Sequence, residues 1–286
     1  MKLKIFQAYY KPDQIKYLDS EFYALDNTKN LQGEYREYPI FLECRRIAEV
    51  EQLDVWGYIS WKWKDKLPGM KAEDIVNRIR NNPDYDVYFW NPWSNYAVSS
   101  LNVWEQGQLC HPDMITIMHH IFPKIGVNPN WLYQPMHPDC VYFGLYCAGN
   151  SKFWNGFLKF ANSYVNIIDT LPDTIKKMHN SGAKYPPFPD LWYFPFIHER
   201  LLSTYLTLNY DKLRILPYQH RPEQYGYMWD RLYFLKTMAL KYKEISILEE
   251  WQHLRTYLGL DFPFSKNWIA KFDKNLINIY NKSELR

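Results

Sequence analysis

The chain has 286 residues, 47% hydrophobic and 23% charged, a globular composition that excludes a disordered chain. Lys and Arg (34) nearly balance Asp and Glu (31), for a net charge of +3, which argues against a nucleic-acid binder working by broad electrostatic attraction. That length suits one large α/β domain, or one domain with a smaller C-terminal lobe.

Aromatic residues make up 19% of the chain, with 12 Trp, 25 Tyr and 16 Phe. Such side chains fill cores, and their flat faces also stack on sugar rings, so both uses stay open. The cysteines Cys44, Cys110, Cys140 and Cys147 form no Cys-x-x-Cys pair, which suits reduced, mostly buried thiols. The opening MKLKIFQAYYKPDQ lacks the apolar run of a signal peptide, and no segment reaches transmembrane length. A cytoplasmic protein is expected, and a peripheral role at the inner membrane face is compatible with this.

In chain order, Leu3 to Ala8 reads as a short first strand broken by a polar loop at Pro12. A strand this early suits a nucleotide-binding α/β domain, with the ligand beyond its carboxyl end. Neither a G-x-G-x-x-G nor a Walker sequence is present, which disfavours dinucleotide and P-loop folds. Asp19 to Tyr38 lacks periodicity and reads as a long loop. Ile40, Phe41, Cys44, Ile47 and Ala48 predict a helix over Pro39 to Val50. Val55 to Ser60 reads as a strand running into Trp61-Lys62-Trp63-Lys64, a basic aromatic segment. Lys71 to Arg80 reads as a short helix, and Asp86 to Trp90 as a third strand stopped by Asn91-Pro92. This alternation favours an α/β sheet.

Asn102 to Pro135 is mixed and punctuated by prolines. Val141 to Cys147 reads as another strand. A helix capped by Asn150 or Ser151 follows, with Phe153, Phe157, Phe160, Tyr164 and Ile168 on its inner face. Lys176 to Pro195 reads as loop, then Phe196 to Leu208, Met228 to Lys241 and Glu244 to Leu258 as helices. Trp268, Phe272, Leu276 and Tyr280, among Lys266, Lys271, Lys274 and Lys282, predict a basic amphipathic helix. Such a helix rests on an anionic membrane or packs on its own domain.

Four stretches carry candidate chemistry. Asp84-Tyr85-Asp86 is an acid-x-acid triplet, able to clamp Mn²⁺ or Mg²⁺ against a diphosphate or to be an ordinary polar turn. It precedes its strand, whereas a ligand site is expected after it, so Asn91 at the far end is a rival. Glu105 and His111, with Trp104, are candidate base and hydroxyl ligands, or a solvated helix face. His198-Glu199-Arg200 follow a Pro-led turn; Glu199 is a candidate general base and Arg200 a phosphate partner, or the two simply pair. Gln7-Ala8-Tyr9 follow the first strand, where Tyr can stack on a base and Ala permits close approach; a surface turn is the alternative.

The segments IFQAYYKP, EYPIFLE, WGYISWKWKDK, NPDYDVYFWNP, NVWEQGQLCHP, YCAGNSKFWNGFL and FPFIHERLLSTYL together resemble glycosyltransferases of bacterial capsule and lipopolysaccharide clusters. The resemblance covers roughly residues 1 to 210. It implies an α/β, GT-A-like (Rossmann-like) nucleotide-sugar-binding domain with a mixed central sheet, and a C-terminal helical extension over 211–286 packed on it. It also implies a nucleotide-diphosphate sugar donor, UDP-linked first of all, a glycan acceptor, and no nucleic acid. On that likeness Asp86, Asn91 and Glu199 match the family's motif positions, Glu199 as the catalytic residue, and the reading of the residues adds Glu105 as a second catalytic candidate. With Asp86 and Asn91, the residue reading puts Gln7, Ala8, Tyr9 and Lys62 with the donor, and His111, Trp104 and His198 with the acceptor. Asp84 and Asp86 would hold the divalent cation, although the order of strand and acids departs from the usual one. A carbohydrate-binding protein without catalysis is the alternative from another class.

Overall fold

The computed structural model describes residues 1–29, 35–183, 190–219 and 226–277. Strand β1 (Leu3–Tyr9) pairs in parallel with β2 (Tyr23–Asp26) on one side and β3 (Val55–Ser60) on the other. Strand β5 (Cys147–Asn150) lies between β3 and β4 (Val87–Asn91), antiparallel to both. Strand β6 (Ile215–Gln219) pairs in parallel with β4 at the far edge. The result is a six-stranded mixed sheet of order β2-β1-β3-β5-β4-β6. The chain is therefore an α/β protein, with helices alongside this sheet.

Contacts divide the chain into two units. The first holds the sheet and takes Met1–Pro92, Phe143–Leu158 and Leu213–His220. Its helices include α1 (Glu37–Glu51), α2 (Trp63–Lys66) and α3 (Ala72–Arg80), and the N-terminal part of α7 (Ser151–Ile167). Every residue of β3 and β4 is buried, as expected of strands covered on both faces. On one side Trp56 stacks on Trp154 at 3.8 Å, and Phe41 of α1 meets both Tyr58 (5.2 Å) and Trp154 (5.4 Å). Much of the aromatic excess in this unit is thus core. Gly57 lets β5 approach: a Cβ there would stand 2.6 Å from both the Cys147 carbonyl oxygen and the Ala148 Cβ.

The second unit takes Trp93–Tyr142, Lys159–Lys212 and Arg221–Arg286 and is helical. It contains α4 (Ser94–Ser99), α5 (Val103–Cys110), α6 (Met114–Lys124), α8 (Asp173–His179), α9 (Phe194–Leu208), α10 (Gly226–Tyr242), α11 (Ile245–Tyr257) and α12 (Ser265–Ile269). Asn102 caps α5 by accepting from the Trp104 and Glu105 amides, both at 2.8 Å, and its own amide group donates to Leu132 and Gln134 carbonyls.

Several expectations are corrected. Strand β2 falls inside the predicted loop of 19–38; of its residues only Leu25 is buried, so it carried no apolar alternation. Strand β6 contains Pro217, which masks a strand in sequence and is tolerated at a sheet edge. The run Val141 to Cys147 is not a strand, because Gly144 (φ 87°) and Leu145 (φ 55°) turn left-handed and β5 begins only at Cys147. Helices α5 and α6 fill the mixed segment, and α8 begins before the predicted loop of 176–195, of which 184–189 lie outside the described residues. The thiol expectation holds for Cys44, Cys140 and Cys147, which are buried, whereas Cys110 is exposed.

No continuous helix covers Trp268 to Ile277; α12 ends at Ile269, and residues from 278 onward lie outside the described residues. Trp268 is buried edge-on to Tyr133, with ring centroids 5.0 Å apart. The Gln134 amide donates to the Lys271 carbonyl (3.0 Å) and accepts from the Asp273 amide (2.8 Å). The part of the tail that is described is therefore packed in its own unit. Among the described residues, no helix is long and apolar enough to cross a membrane.

The Trp56–Trp154 stack carries a testable consequence. Trp154→Ala should destabilise the protein by about 3–5 kcal/mol, read from urea unfolding, because a buried indole leaves a cavity.

Candidate functional site at the carboxyl edge of the sheet

Strand directions locate the site. Strand β4 runs with β3, since β5 opposes both, so β2, β1, β3, β4 and β6 all end at one edge, at Asp26, Tyr9, Ser60, Asn91 and Gln219. Ligands of open α/β sheets bind outside the carboxyl ends of such strands. The donor candidates Gln7, Ala8, Tyr9, Lys62 and Asn91 lie on or just beyond these strand ends, all within the first unit.

Their local roles differ. Gln7 is fully buried; its amide donates to the Tyr17 carbonyl (3.3 Å) and accepts from the Asp19 amide (2.7 Å), pinning the loop after β1. The Ala8 carbonyl accepts from the Trp61 amide at 2.9 Å, tying the end of β1 to the chain leaving β3. Desolvation and a bond to Asp26 hold the Tyr9 phenol above its ordinary value. Asp26 accepts at one oxygen from the Thr28 amide (2.9 Å) and hydroxyl (2.7 Å), and these bonds hold its carboxyl low. Asn91 is fully buried and donates to the Gln219 side chain at 2.9 Å.

Sequence reasoning missed several neighbours. The Tyr10 and Tyr58 hydroxyls lie 3.0 Å apart, and burial pushes both phenols up. The Ser60 and Tyr146 hydroxyls lie 2.6 Å apart. The Lys66 ammonium is 5.2 Å from the Tyr146 ring, and Tyr17 packs on Trp61 with centroids 5.5 Å apart. Lys62 is exposed, while Lys64 pairs with Asp19 at 2.9 Å. The edge thus combines aromatic faces, hydroxyls and lysines. The alternating lysines of WKWKDK were a signal for Lys66; nothing in the sequence marked Tyr146, which is distant in the chain.

Asp84 and Asp86 stand elsewhere. They precede β4 and so lie at the amino edge, opposite the strand ends. Asp86 accepts from the Asn150 side chain (2.9 Å), the Lys152 ammonium (3.0 Å) and the Arg214 amide (2.9 Å). Burial raises its carboxyl, but these three donors outweigh burial and hold it below the ordinary value. Asp84 is exposed on the preceding turn. This carboxylate ties β4 to the segments around β5 and β6, and with its oxygens so engaged the pair does not fit a Mn²⁺ or Mg²⁺ ion. Among the described residues no group of three or more His, Cys, Asp or Glu side chains could hold a metal ion.

The remaining candidates lie in the second unit. Glu105 is fully buried and takes a bidentate pair from Arg255, both bonds 2.8 Å, with further bonds from the Leu101 amide (2.6 Å) and the Ser265 hydroxyl (2.9 Å). Such a carboxylate anchors α5 to α11 and α12, and it is not placed to meet an acceptor. Trp104 is fully buried, its indole N–H donating to the Thr204 hydroxyl at 3.2 Å. His111 is buried, with Nδ1 3.0 Å from the Ala183 carbonyl oxygen. His198 is buried and stacks on Phe194. Arg200 is buried and donates to the Val103 (3.0 Å) and Phe196 (2.8 Å) carbonyls and to the Gln106 side chain, so it serves packing. Glu199 is half-buried, 3.8 Å from the Arg200 guanidinium.

No family model, curated protein or solved structure matches this chain.

Two outcomes follow from the buried groups. Arg255→Ala should cost about 3–5 kcal/mol in urea unfolding, because Glu105 is left buried and uncompensated. Stability should also fall with acid. Burial pushes His111 down to about 4 and His198 to about 3 from the ordinary 6.5. Below 6.5 the unfolded chain binds these protons first, so stability declines until the folded values are reached. Unfolding midpoints measured from about pH 7 to 4.5 should show this decline, and His198→Gln should remove its share of the slope.

Proposed function

We propose that this chain is a glycosyltransferase with a GT-A-like donor domain. It moves a sugar from a nucleotide-diphosphate donor, UDP-linked first of all, to a hydroxyl of a surface polysaccharide or lipid-linked glycan. The observation that carries the reading is the carboxyl edge of the sheet. Five strand ends converge there, and the Gln7–Tyr9 end of β1, the Tyr17–Trp61 aromatic pair and the lysines after β3 lie within one unit. Aromatic faces suit a nucleobase, and ammonium groups suit a diphosphate.

In the reaction the bond from the sugar's anomeric carbon to the diphosphate oxygen breaks, and the electron pair stays on that oxygen. The acceptor hydroxyl oxygen forms the new bond to the same carbon, and its proton passes to a carboxylate. The sequence candidates Glu105 and Glu199 belong to the second unit, and Glu105 is committed there to Arg255. The carboxylate charge also favours the oxocarbenium-like transition state.

Calorimetry with UDP, GDP and their sugars tests the reading. A nucleotide sugar should bind with Kd in the range of about 1 μM to 1 mM. Glycan binding with no nucleotide binding would point instead to a non-catalytic carbohydrate-binding protein.

A further inference from the structure

We propose that the hairpin of α10 and α11 is a strap over the end of α4, and that protonation of Lys236 loosens it. All three helices belong to the second unit.

Helix α4 is six residues long and ends in the interior, with Ala97, Val98, Ser99 and Ser100 all buried. The last carbonyls of a helix have no partner within it, and at a buried end water cannot serve them. Here side chains of the hairpin supply the donors. The Lys236 amine of α10 donates to the Ala97 (2.9 Å) and Ser100 (2.6 Å) carbonyls. From α11 the Trp251 indole N–H donates to the Val98 carbonyl (2.8 Å) and the Arg255 guanidinium to that of Ser99 (2.7 Å). Four successive carbonyls are thus closed by three side chains. Trp251 and Arg255 are one helical turn apart, so they share a face of α11.

The hairpin is held from this inner side. Lys236, Trp251 and Arg255 are fully buried, whereas Phe234, Tyr242 and Ile245 of the same two helices are exposed. The chain turns between the helices at Lys243, in left-handed backbone (φ 57°).

The charges around Lys236 do not balance when it is an ammonium. Glu105 of α5 faces it, but that carboxylate is already bonded by Arg255, Ser265 and the Leu101 amide. Arg255 of α11 stands by as a second cation. The Lys236 nitrogen is 5.7 Å and the Arg255 guanidinium carbon 4.2 Å from the Trp251 ring centroid. Helix α4 brings no charged side chain. The turn 137–140, which also packs on α10, brings His137, Asp139 and Cys140, and Asp139 accepts from the Tyr233 hydroxyl of α10 at 3.0 Å. A neutral amine still has two N–H groups, enough for the two carbonyls, and it avoids the cost of burying a charge. Burial accordingly pushes Lys236 down to about 7 from the ordinary 10.5, with Glu105 and Cys140 opposing and Arg255 adding to the effect.

When the strap opens, Lys236 meets water and regains its ordinary value. Between about 7 and 10.5 the open form therefore holds one more proton than the closed form, and falling pH favours opening. Below 7 both forms are protonated and the effect is complete. His111 and His198 act in a separate window, below 6.5.

The test is hydrogen exchange of the full chain from about pH 7.5 to 9, read as opening constants after correction for base catalysis. Residues 226–257 and 94–100 should open at least about tenfold more often than β3 and β4 at the lower pH. Their opening constants should fall by about tenfold per pH unit as the pH rises, and Lys236→Met should abolish that dependence. Carbon NMR of the parent labelled at lysine Cε needs no variant. One lysine should lose its proton near pH 7, and the others at their ordinary value. Four outcomes would each overturn the inference: a hairpin that opens no more often than β3 and β4, opening constants level with pH, a dependence that survives in Lys236→Met, or a parent in which every lysine titrates above about pH 9.

Discussion

The close approach of β5 to β3 is the constraint on which the rest of the first unit depends. Gly57 permits it, since any β-carbon there would overlap the Cys147 carbonyl and Ala148. Once β5 is inserted antiparallel between β3 and β4, the other five strands point the same way and their ends fall at one edge. The turn into β5 must then bend left-handed at Gly144 and Leu145 to fill the gap between two strand ends. The aromatic stack of Trp56 and Trp154 closes over part of the strand surface beside this insertion.

The amino edge secures the same arrangement electrostatically. Asp86 gathers donors from the segments that precede β6 and follow β5, so one carboxylate replaces three separate contacts at the starts and ends of strands. A buried carboxylate is tolerable only when its oxygens are bonded in this way. The second unit uses an equivalent device around Glu105, which Arg255, Ser265 and the Leu101 amide satisfy together. Asp86 and Glu105, both candidates for chemistry in sequence, are carboxylates the fold uses to hold itself together.

The two edges of the sheet therefore have different characters. The Asp86 clamp belongs to the amino edge, while Asp19, paired with Lys64, and Asp26, bonded by Thr28, stand at the other. Hydroxyls, aromatic faces and lysines belong to the carboxyl edge, where Tyr146 meets Ser60 through its hydroxyl and the Lys66 ammonium through its ring.

Much of this was determined by the sequence alone. The α/β class, strands within a residue or so of Leu3–Tyr9, Val55–Ser60 and Val87–Asn91, and helices α1, α3, α7, α9, α10 and α11 were legible because apolar periodicity is a local property, whereas α2, α4, α5 and α6 were not. Gln7, Ala8, Tyr9 and Lys62 were also legible as residues on or next to strand ends. Strands β2 and β6 were not legible, since an exposed edge and an internal proline erase the local signal. Only the tertiary structure decided which end of β4 faces the edge shared by the other strand ends, and so removed Asp86 from it. The same is true of Glu105, whose partner Arg255 lies 150 residues away in the chain. The physical reason is common to both. A carboxylate carries the same charge wherever it stands, and its use depends on which distant donors folding brings to it.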